Sequence, residues 1–231
     1  MKKKKRSSYK KKREFFTNRP VRDRFYTKDD IFISRMASIL MVPKGRIPWI
    51  FSQRPITTIR LNSLMGNVEE TKKELLGRGY ELEEIPWSEN TYFVMNKDKA
   101  EVSQTEWYDN GKYYIQNLSS ILATLILDPK KNEKILDMCA APGSKTTHIA
   151  DMVSNNADII ANDIDMSRIS DLQSVVDQFG AKAKVTLSDG KEFGQKYPVY
   201  FDKVLLDAPC SGEGLIYFKG PKPLRFWSMD K

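Results

Sequence analysis

The sequence predicts an α/β protein with a doubly wound parallel sheet in its second half and a small α+β module before it. Two observations predict this fold. After residue 134, four short β-rich runs alternate with helical segments, which is the pattern of βαβ units around a parallel sheet. Between residues 57 and 111, the order is strand, helix, strand, strand, without that alternation. We therefore expect a domain boundary near residues 112–116.

The elements of the first half are predicted from helix caps and breakers. Asp29 and Asp30 are expected to begin a helix that ends near Met41. The apolar residues expected on or near one face of this helix are Ile31, Met36, Ile39 and Leu40. A second helix, capped by Asn67, is expected to end at Leu76, before Gly77 and Gly79. β-rich runs predict three strands, at Thr57–Leu61, Tyr80–Ile85 and Thr91–Met95.

The second half is predicted to begin with a helix at Asn117–Leu127. Four strands are expected after it, at Lys134–Met138, Ala157–Ala161, Ala183–Leu187 and Asp202–Leu206. Helices are expected between the first three of these strands, at Lys145–Met152 and Met166–Phe179. Ligands bind outside the carboxyl ends of the strands in such a sheet, so the loops that follow the strands are the candidate site.

The composition is that of a folded protein outside the membrane. Of the 231 residues, 40% are hydrophobic and 29% are charged, which is ordinary for a soluble domain. The best apolar stretches, Ile31–Val42 and Leu118–Leu127, are shorter than the ~20 residues of a membrane-spanning helix. The basic N-terminus is not followed by an apolar segment, so no secretory signal is expected. Two cysteines favour a reducing, cytoplasmic location without disulfides.

Charge is distributed unevenly along the chain. Residues 1–60 hold 18 Lys and Arg against 4 Asp and Glu, whereas residues 61–231 hold 20 against 26. We expect residues 1–20 to form a disordered basic arm, which either solubilises the protein or contacts phosphate groups. Basic residues continue past the arm, which favours a nucleic-acid partner over a membrane surface. They are Arg19, Arg22, Arg24, Arg35, Lys44, Arg46, Arg54 and Arg60.

The loop at residues 137–147 joins the first predicted strand of the parallel sheet to the next helix. Small residues let backbone and ligand approach closely, and here they are Cys139, Ala140, Ala141, Gly143 and Ser144. The loop lacks the three spaced glycines of the dinucleotide fingerprint and the opening glycine of a Walker A loop. One glycine and Lys145 suit a small anion, such as a carboxylate, at the helix N-terminus. The alternative is a tight turn that binds nothing.

Three acidic residues, Asp163, Asp189 and Asp207, follow the second, third and fourth strands. Asp163 stands about 20 residues after the first loop, where a doubly wound fold places the carboxylate that binds ribose hydroxyls. Asp165 is instead expected to cap the following helix. Three acids at one edge of the sheet predict a ligand site there.

A second loop, Asp207–Gly214, follows the fourth strand. Because the first and fourth strands commonly lie side by side in a doubly wound sheet, residues 139–145 and 207–214 are expected to face each other across one crevice. Cys210 lies in this polar, glycine-rich loop, where a thiol can be reached. The alternative for Cys210 is the small buried hydrophobe that most free cysteines are.

Four segments together resemble the Sun-type RNA cytosine-5 methyltransferases. They are Ile59–Asn62, Tyr114–Ser120, Cys139–His148 and Asp207–Gly212. The resemblance implies a class I methyltransferase domain at residues 113–231, incomplete at its C-terminal end, with S-adenosyl-L-methionine as the cofactor. It implies an α+β RNA-binding module at residues 21–112 and an rRNA or tRNA substrate. We expect a monomer without a metal ion.

The resemblance also implies roles for individual residues. The methionine end of the cofactor is expected on Cys139, Ala140, Ala141, Pro142, Gly143, Ser144 and Lys145. Asp163 is expected to bind the ribose and Asp189 the adenine, while Asp207 lies between the cofactor and the target base. The one histidine, His148, is expected only to pack beside the loop.

The implied reaction is covalent catalysis, because C5 of cytosine is a poor nucleophile until a thiolate adds to C6. The candidate catalytic residues are Cys210, Asp207, which assists the addition, and Lys145, which favours the thiolate. In the family, the cysteine that matches Cys210 assists product release, and the nucleophile stands in a later Thr-Cys motif that this sequence does not reach. Two other functions stay open: an inactive RNA-binding protein that retains the cofactor pocket, and a methyltransferase that acts on nitrogen.

Overall fold

The computed structural model describes residues 27–53, 56–210, 212–219, 224–225 and 227–228. The described residues form two compact units. One unit is the continuous segment 56–210, and the other combines residues 27–53 with the described residues after 211. The basic arm expected at residues 1–20 lies outside the described residues, as do Arg19, Arg22, Arg24 and Arg54.

The discontinuous unit begins with helix α1, Lys28–Leu40. The Thr27 hydroxyl accepts a hydrogen bond from the backbone N–H of Asp30 at 3.1 Å, and the Asp30 carboxylate accepts one from the backbone N–H of Thr27 at 3.1 Å. This capping box satisfies N–H groups that the first turn of a helix leaves free. A 3₁₀ turn and the short helix α2, Ile47–Ile50, follow α1.

The core of this unit is built around Phe32, whose ring is fully buried. Three aromatic rings meet it edge to face, at centroid distances of 5.0 Å for Phe51, 5.6 Å for Phe218 and 5.2 Å for Trp227. The N-terminal helix and the C-terminal segment therefore share one core. The buried stripe of α1 consists of Phe32, Met36 and Ala37.

The face of α1 expected from the sequence was partly wrong. Met36 is buried, but Ile39 and Leu40 are 59% and 44% exposed. The reason is that the core is set by Phe32 and the residue four positions later, which lie on one side of a helix. The aromatic partners of Phe32 are distant in sequence, and helical periodicity within α1 cannot predict them.

The continuous unit contains two sheets, of which the first is antiparallel. Its elements, in chain order, are β1 Thr57–Leu61, α3 Val68–Gly77, β2 Leu82–Glu84, β3 Thr91–Val94, α4 Lys99–Ser103, α5 Glu106–Asp109 and β4 Tyr113–Ile115. The strand order is β2-β3-β1-β4. The predicted helix and three strands are confirmed, but β4 was missed. It extends the first sheet to Ile115, into the range expected for a domain boundary.

The second sheet is parallel. It is preceded by α6 Leu118–Leu127 and consists of β5 Lys134–Asp137, α7 Ser144–Met152, β6 Asp158–Asp163, α8 Met166–Gln178, β7 Lys184–Leu187, α9 Phe193–Lys196 and β8 Lys203–Leu205. The order β7-β6-β5-β8 places the first and fourth of these strands side by side, as predicted. The doubly wound α/β architecture expected from the sequence is therefore confirmed, with strand ends shifted by one or two residues.

Buried polar contacts join the two sheets. The side-chain amide of Asn62, at the end of β1, donates to the carbonyl oxygens of Gly111 at 2.8 Å and Phe179 at 3.0 Å. The rings of Tyr114 and Phe179 lie 4.6 Å apart. Arg60 was expected to extend the basic surface, and this expectation was wrong, because its side chain is buried and paired with Asp151 of α7. Both sheets thus belong to one unit.

No helix within the described ranges is both long and apolar enough to cross a membrane.

Candidate functional site

The loop after β5 is held by backbone hydrogen bonds. The N–H of Ala140 donates to the carbonyl of Asn162 at 2.7 Å, and the N–H of Gly143 donates to the carbonyl of Ala140 at 2.7 Å. The Ala141–Pro142 peptide bond is cis. Gly143, at the N-cap of α7, has φ of 112° and no side chain that could accept from the first turn. The N–H groups of that turn therefore point their partial positive charge toward any ligand at the end of the helix.

Asp163 lies at the end of β6 and its carboxylate organises this loop. One oxygen, Oδ2, accepts from the backbone N–H of Ala141 at 3.2 Å and lies 3.3 Å from a guanidinium nitrogen of Arg168. The other oxygen, Oδ1, accepts from the N–H of Asp165 at 3.0 Å. Arg168 also donates to the carbonyl of Ala141. A carboxylate oxygen accepts up to two hydrogen bonds, so Oδ1 keeps capacity for one further donor.

Asp137 carries a buried carboxyl group and was not predicted as a site residue from the sequence. It ends β5 and is 1% exposed. Its Oδ2 accepts from the Thr146 hydroxyl at 2.7 Å, whereas Oδ1 is buried without a hydrogen-bond partner among the described residues. Burial raises the pKa of Asp137 to about 6, against the lowering effect of Thr146 and Lys145. The sequence feature that could have predicted this role is an acidic residue at the end of an apolar strand, directly before the loop.

Lys145 and Asp207 join the first and second loops. The Lys145 ammonium, in the first turn of α7, forms an ion pair with the Asp207 carboxylate after β8. The Lys145 side chain is 14% exposed and that of Asp207 is 55% exposed. The structure thus brings these two predicted residues together at the carboxyl end of neighbouring strands.

Asp189 lies on the same edge of the sheet. Its Oδ1 accepts from the N–H of Lys191 at 3.0 Å, which caps a 3₁₀ turn after β7. The next residue, Gly190, approaches the first loop so closely that an added Cβ would lie 2.8 Å from the sulfur of Met138. The Asn162 side chain donates to the carbonyls of Met138 and Ser188, at 3.1 and 3.0 Å, and so ties the two loops together.

The two thiols have different surroundings. Cys139 is half-buried, and burial together with the negative charges of Asp163 and Asp137 raises its pKa. Cys210 is exposed and free. The alternative that Cys210 is a small buried hydrophobe is therefore excluded.

His148 lies on α7 with 4% of its surface exposed, which fits the packing role expected of it. Burial, and the charge of Arg60, lower its pKa well below the ordinary value, so the ring is neutral. Across the residues that the structure describes, no group of three or more His, Cys, Asp or Glu side chains could hold a metal ion.

The chain is similar to known methyltransferases. A family model described as 16S rRNA methyltransferase RsmB/F matches residues 124–222. A tRNA (cytosine(49)-C(5))-methyltransferase of Pyrococcus abyssi is 42% identical over 185 residues, which are 79% of this chain and 58% of that protein. Ribosomal RNA small subunit methyltransferase F of Pectobacterium carotovorum is 38% identical over 184 residues, which are 77% of this chain and 38% of that protein.

The chain is also similar to a methyltransferase homologue of known structure. The crystal structure of a methyltransferase homologue from Pyrococcus horikoshii superposes with a TM-score of 0.71 at 29% identity, over 87% of this chain and 63% of that one. The parallel sheet is thus the sheet of class I methyltransferases, as the resemblance implied. The chain spans less than two thirds of the length of each of these three relatives.

Proposed function

Because residues 124–222 match the RsmB/F methyltransferase family model, we propose that the chain transfers a methyl group from S-adenosylmethionine to C5 of a cytosine in RNA. The names of the two relatives described above support this reaction, since one acts on tRNA and the other on small-subunit rRNA by name. The observation that carries the proposal is the buried carboxyl group of Asp137, which has an unpartnered oxygen among the described residues and lies beside the loop that leads to the N-terminus of α7.

The residues present fit this cofactor. The methionine end carries an ammonium and a carboxylate. The partnerless Oδ1 of Asp137 suits the ammonium, and the first turn of α7 suits the carboxylate. The remaining acceptor capacity of Asp163 suits one ribose hydroxyl, and we assign Asp189, at the same edge of the sheet, to the adenine. When bound, S-adenosylmethionine supplies an electrophilic methyl group.

The thiol that we propose for catalysis is Cys210. In the family the cysteine at this position assists product release, and we assign the nucleophile to Cys210 because it is exposed, whereas the raised pKa of Cys139 disfavours its thiolate. The Cys210 thiolate adds to C6 of the cytosine, and the ring electrons move to C5, which takes the methyl group as its bond to the sulfonium sulfur breaks and S-adenosylhomocysteine leaves. Loss of the C5 proton to a base and expulsion of the thiolate restore the aromatic ring. We assign to Asp207, which is paired with Lys145, the contact with the N3/N4 edge of the base.

The charge of the chain supports RNA as the substrate. Residues 1–54 and 211–231 together hold 21 Lys and Arg against 6 Asp and Glu, whereas residues 55–210 hold 17 against 24. The two end segments of the sequence are therefore strongly basic, and the segment that carries the cofactor loop is acidic. Phosphate contacts are thus proposed on the discontinuous unit, where Arg35, Lys44 and Arg46 are exposed.

A mass-spectrometric experiment tests the proposed function. The full chain is incubated with S-adenosylmethionine and with tRNA or small-subunit rRNA transcripts that carry 5-fluorocytidine. Fluorine at C5 cannot leave as the proton does, so a covalent adduct accumulates, and we expect it on the peptide that contains Cys210. The variant Cys210→Ser should form no adduct.

Other results separate the alternatives. Methylation at C5 with no adduct, or an adduct on Cys139, would contradict the role of Cys210. A methyl group on nitrogen would replace the proposed reaction with another methyl transfer. Binding of cofactor and RNA without any product would favour an RNA-binding protein that retains the cofactor pocket.

A further inference from the structure

Arg60, the fourth of the five residues of β1, is a buried cation that is 1% exposed. Three of its nitrogen atoms have partners in other parts of the unit. Nε donates to Oε1 of Gln116 at 3.1 Å, Nη1 to Oδ2 of Asp151 at 2.5 Å, and Nη2 to the hydroxyl of Thr147 at 3.4 Å. Asp151 and Thr147 both lie on α7, so one side chain of the first sheet holds the helix of the cofactor loop at two of its turns.

Gln116 completes this contact at the start of α7. Its Oε1 accepts from Arg60, so its amide nitrogen is left to donate to the carbonyl of Ser144, at 3.1 Å. Ser144 is the first residue of α7 and follows Gly143 directly. The Thr147 hydroxyl donates to the same carbonyl at 3.2 Å. The Ser144 carbonyl in the first turn is therefore held by Gln116 from outside the helix and by Thr147 from within it.

Asp151, the acidic member of the ion pair, also has further hydrogen-bond partners. The other oxygen of Asp151, Oδ1, accepts from the backbone N–H of Ser63 at 3.1 Å and from its hydroxyl at 2.5 Å. Both charges of the buried pair are thus hydrogen-bonded. Burial lowers the pKa of Arg60, and the charge of Asp151 opposes this shift, so the ion pair offsets part of the desolvation of the guanidinium.

We propose that Arg60, Gln116 and Asp151 are positioning residues for the methyl-transfer site. They set the orientation of α7, and with it the N–H groups that receive the cofactor's carboxylate and the ammonium of Lys145 that pairs with Asp207. The inference rests on the proposed function for the identity of the ligand. The inference gives the antiparallel sheet a role in holding the cofactor loop. This role is additional to the RNA binding that the family resemblance implies for residues 21–112.

Stability alone does not account for this network. A buried ion pair is often no more stabilising than apolar side chains of similar volume, because both ions lose their hydration. An apolar replacement therefore separates folding from positioning. The double variant Arg60→Met/Asp151→Leu removes both charges together and leaves no unpaired buried ion, so we expect it to fold.

The experiment compares three variants with the wild-type chain. Gln116→Met removes the hydrogen bonds to Arg60 and to the Ser144 carbonyl while preserving side-chain length. The double variant Arg60→Met/Asp151→Leu removes the ion pair. As a matched control, Ser88→Ala removes the buried 2.8 Å hydrogen bond between Ser88 and Thr91, which joins the turn before β3 to the first residue of that strand and involves no residue of α7.

Two readouts are measured on each full-length protein. Hydrogen exchange of the peptide 139–150, without ligand, reports the order of the loop and the first turns of α7. Calorimetric titration with S-adenosylhomocysteine reports cofactor affinity. We expect Gln116→Met and the double variant to exchange faster in this peptide and to bind about five- to tenfold more weakly. Ser88→Ala should match the wild type in both readouts.

Unchanged exchange and affinity in a folded Gln116→Met protein would overturn the inference, as would an equal loss in Ser88→Ala. If the wild-type chain binds no S-adenosylhomocysteine, the proposed function fails. In that case faster exchange in the variants still supports the positioning of α7, and unchanged exchange rejects it.

Discussion

Replacing Asp137 by asparagine removes one buried negative charge and keeps the shape of the side chain. The amide oxygen can still accept from the Thr146 hydroxyl, which lies 2.7 Å from Oδ2 in the wild type. The position of Oδ1, which has no partner among the described residues, then carries an uncharged group. If the cofactor's ammonium binds there, the variant loses a charge-assisted hydrogen bond.

The expected effect on stability follows from the pKa of Asp137, raised from 3.8 to about 6 by burial. Between these values the folded state holds a proton that the unfolded state has lost, so the unfolding free energy falls as the pH rises from about 4 to 6. Each tenfold change in acid strength corresponds to ~1.4 kcal/mol, so the fall is roughly 3 kcal/mol. An unpaired amide N–H costs about 1–3 kcal/mol. The variant should therefore be as stable as the wild type, or more stable, above pH 6.

The expected effect on binding has the opposite sign. A hydrogen bond to a charged group contributes about 1.5–3 kcal/mol, so S-adenosylmethionine should bind roughly 10- to 100-fold more weakly to Asp137→Asn at pH 7.5. In the wild type, affinity should increase between pH 5 and 7 as Asp137 ionises. In the variant it should not change over this range.

Calorimetric titration and urea unfolding, each at pH 5 and pH 7.5, measure these two effects. Asp171→Asn is the matched control, because it removes one carboxylate from an exposed position on α8. The reasoning is refuted if Asp137→Asn binds the cofactor as tightly as the wild type at pH 7.5. A loss of binding that equals a general loss of folding would also refute it.

Three further predictions concern other parts of the chain. Gly143→Ala should lower the unfolding free energy by about 1–3 kcal/mol in urea titrations, because φ is 112° and the new Cβ would lie 3.0 Å from a side chain of α8; wild-type stability would contradict this. Arg168→Met should weaken cofactor binding several-fold in calorimetry, since it frees Asp163 and the carbonyl of Ala141; unchanged affinity would argue against a role for Arg168 in holding the loop. Phe32→Ala should destabilise the discontinuous unit by about 3–5 kcal/mol, measured as faster hydrogen exchange of α1, and should leave exchange of β5 unchanged.

Local sequence signals predicted the parallel sheet well. Alternating strands and helices are short-range patterns, and Asn67 and Asp165 cap the helices as expected because a cap involves only neighbouring residues. The elements that were missed depend on distant partners. β4 has three residues and is defined by pairing with β1. The burial of Phe32 depends on Phe218 and Trp227, which stand at the other end of the sequence.

The candidate site was predicted in outline and not in detail. Asp163, Asp189 and Asp207 do lie at the carboxyl ends of the strands, because a parallel sheet gathers them at one edge. The sequence could not show that Asp163 also holds the loop, or that Asp137 is buried with an unpartnered oxygen. Arg60 was read as surface charge, because no local pattern distinguishes a buried arginine from an exposed one.

A crystal structure of the chain with S-adenosylhomocysteine tests the central claim most directly. The account predicts the ligand's ammonium within hydrogen-bonding distance of Asp137 Oδ1, its carboxylate at the first turn of α7, and its ribose at Asp163. Density for the ligand at another place on the protein, or its amino acid end turned away from Asp137, would contradict the account.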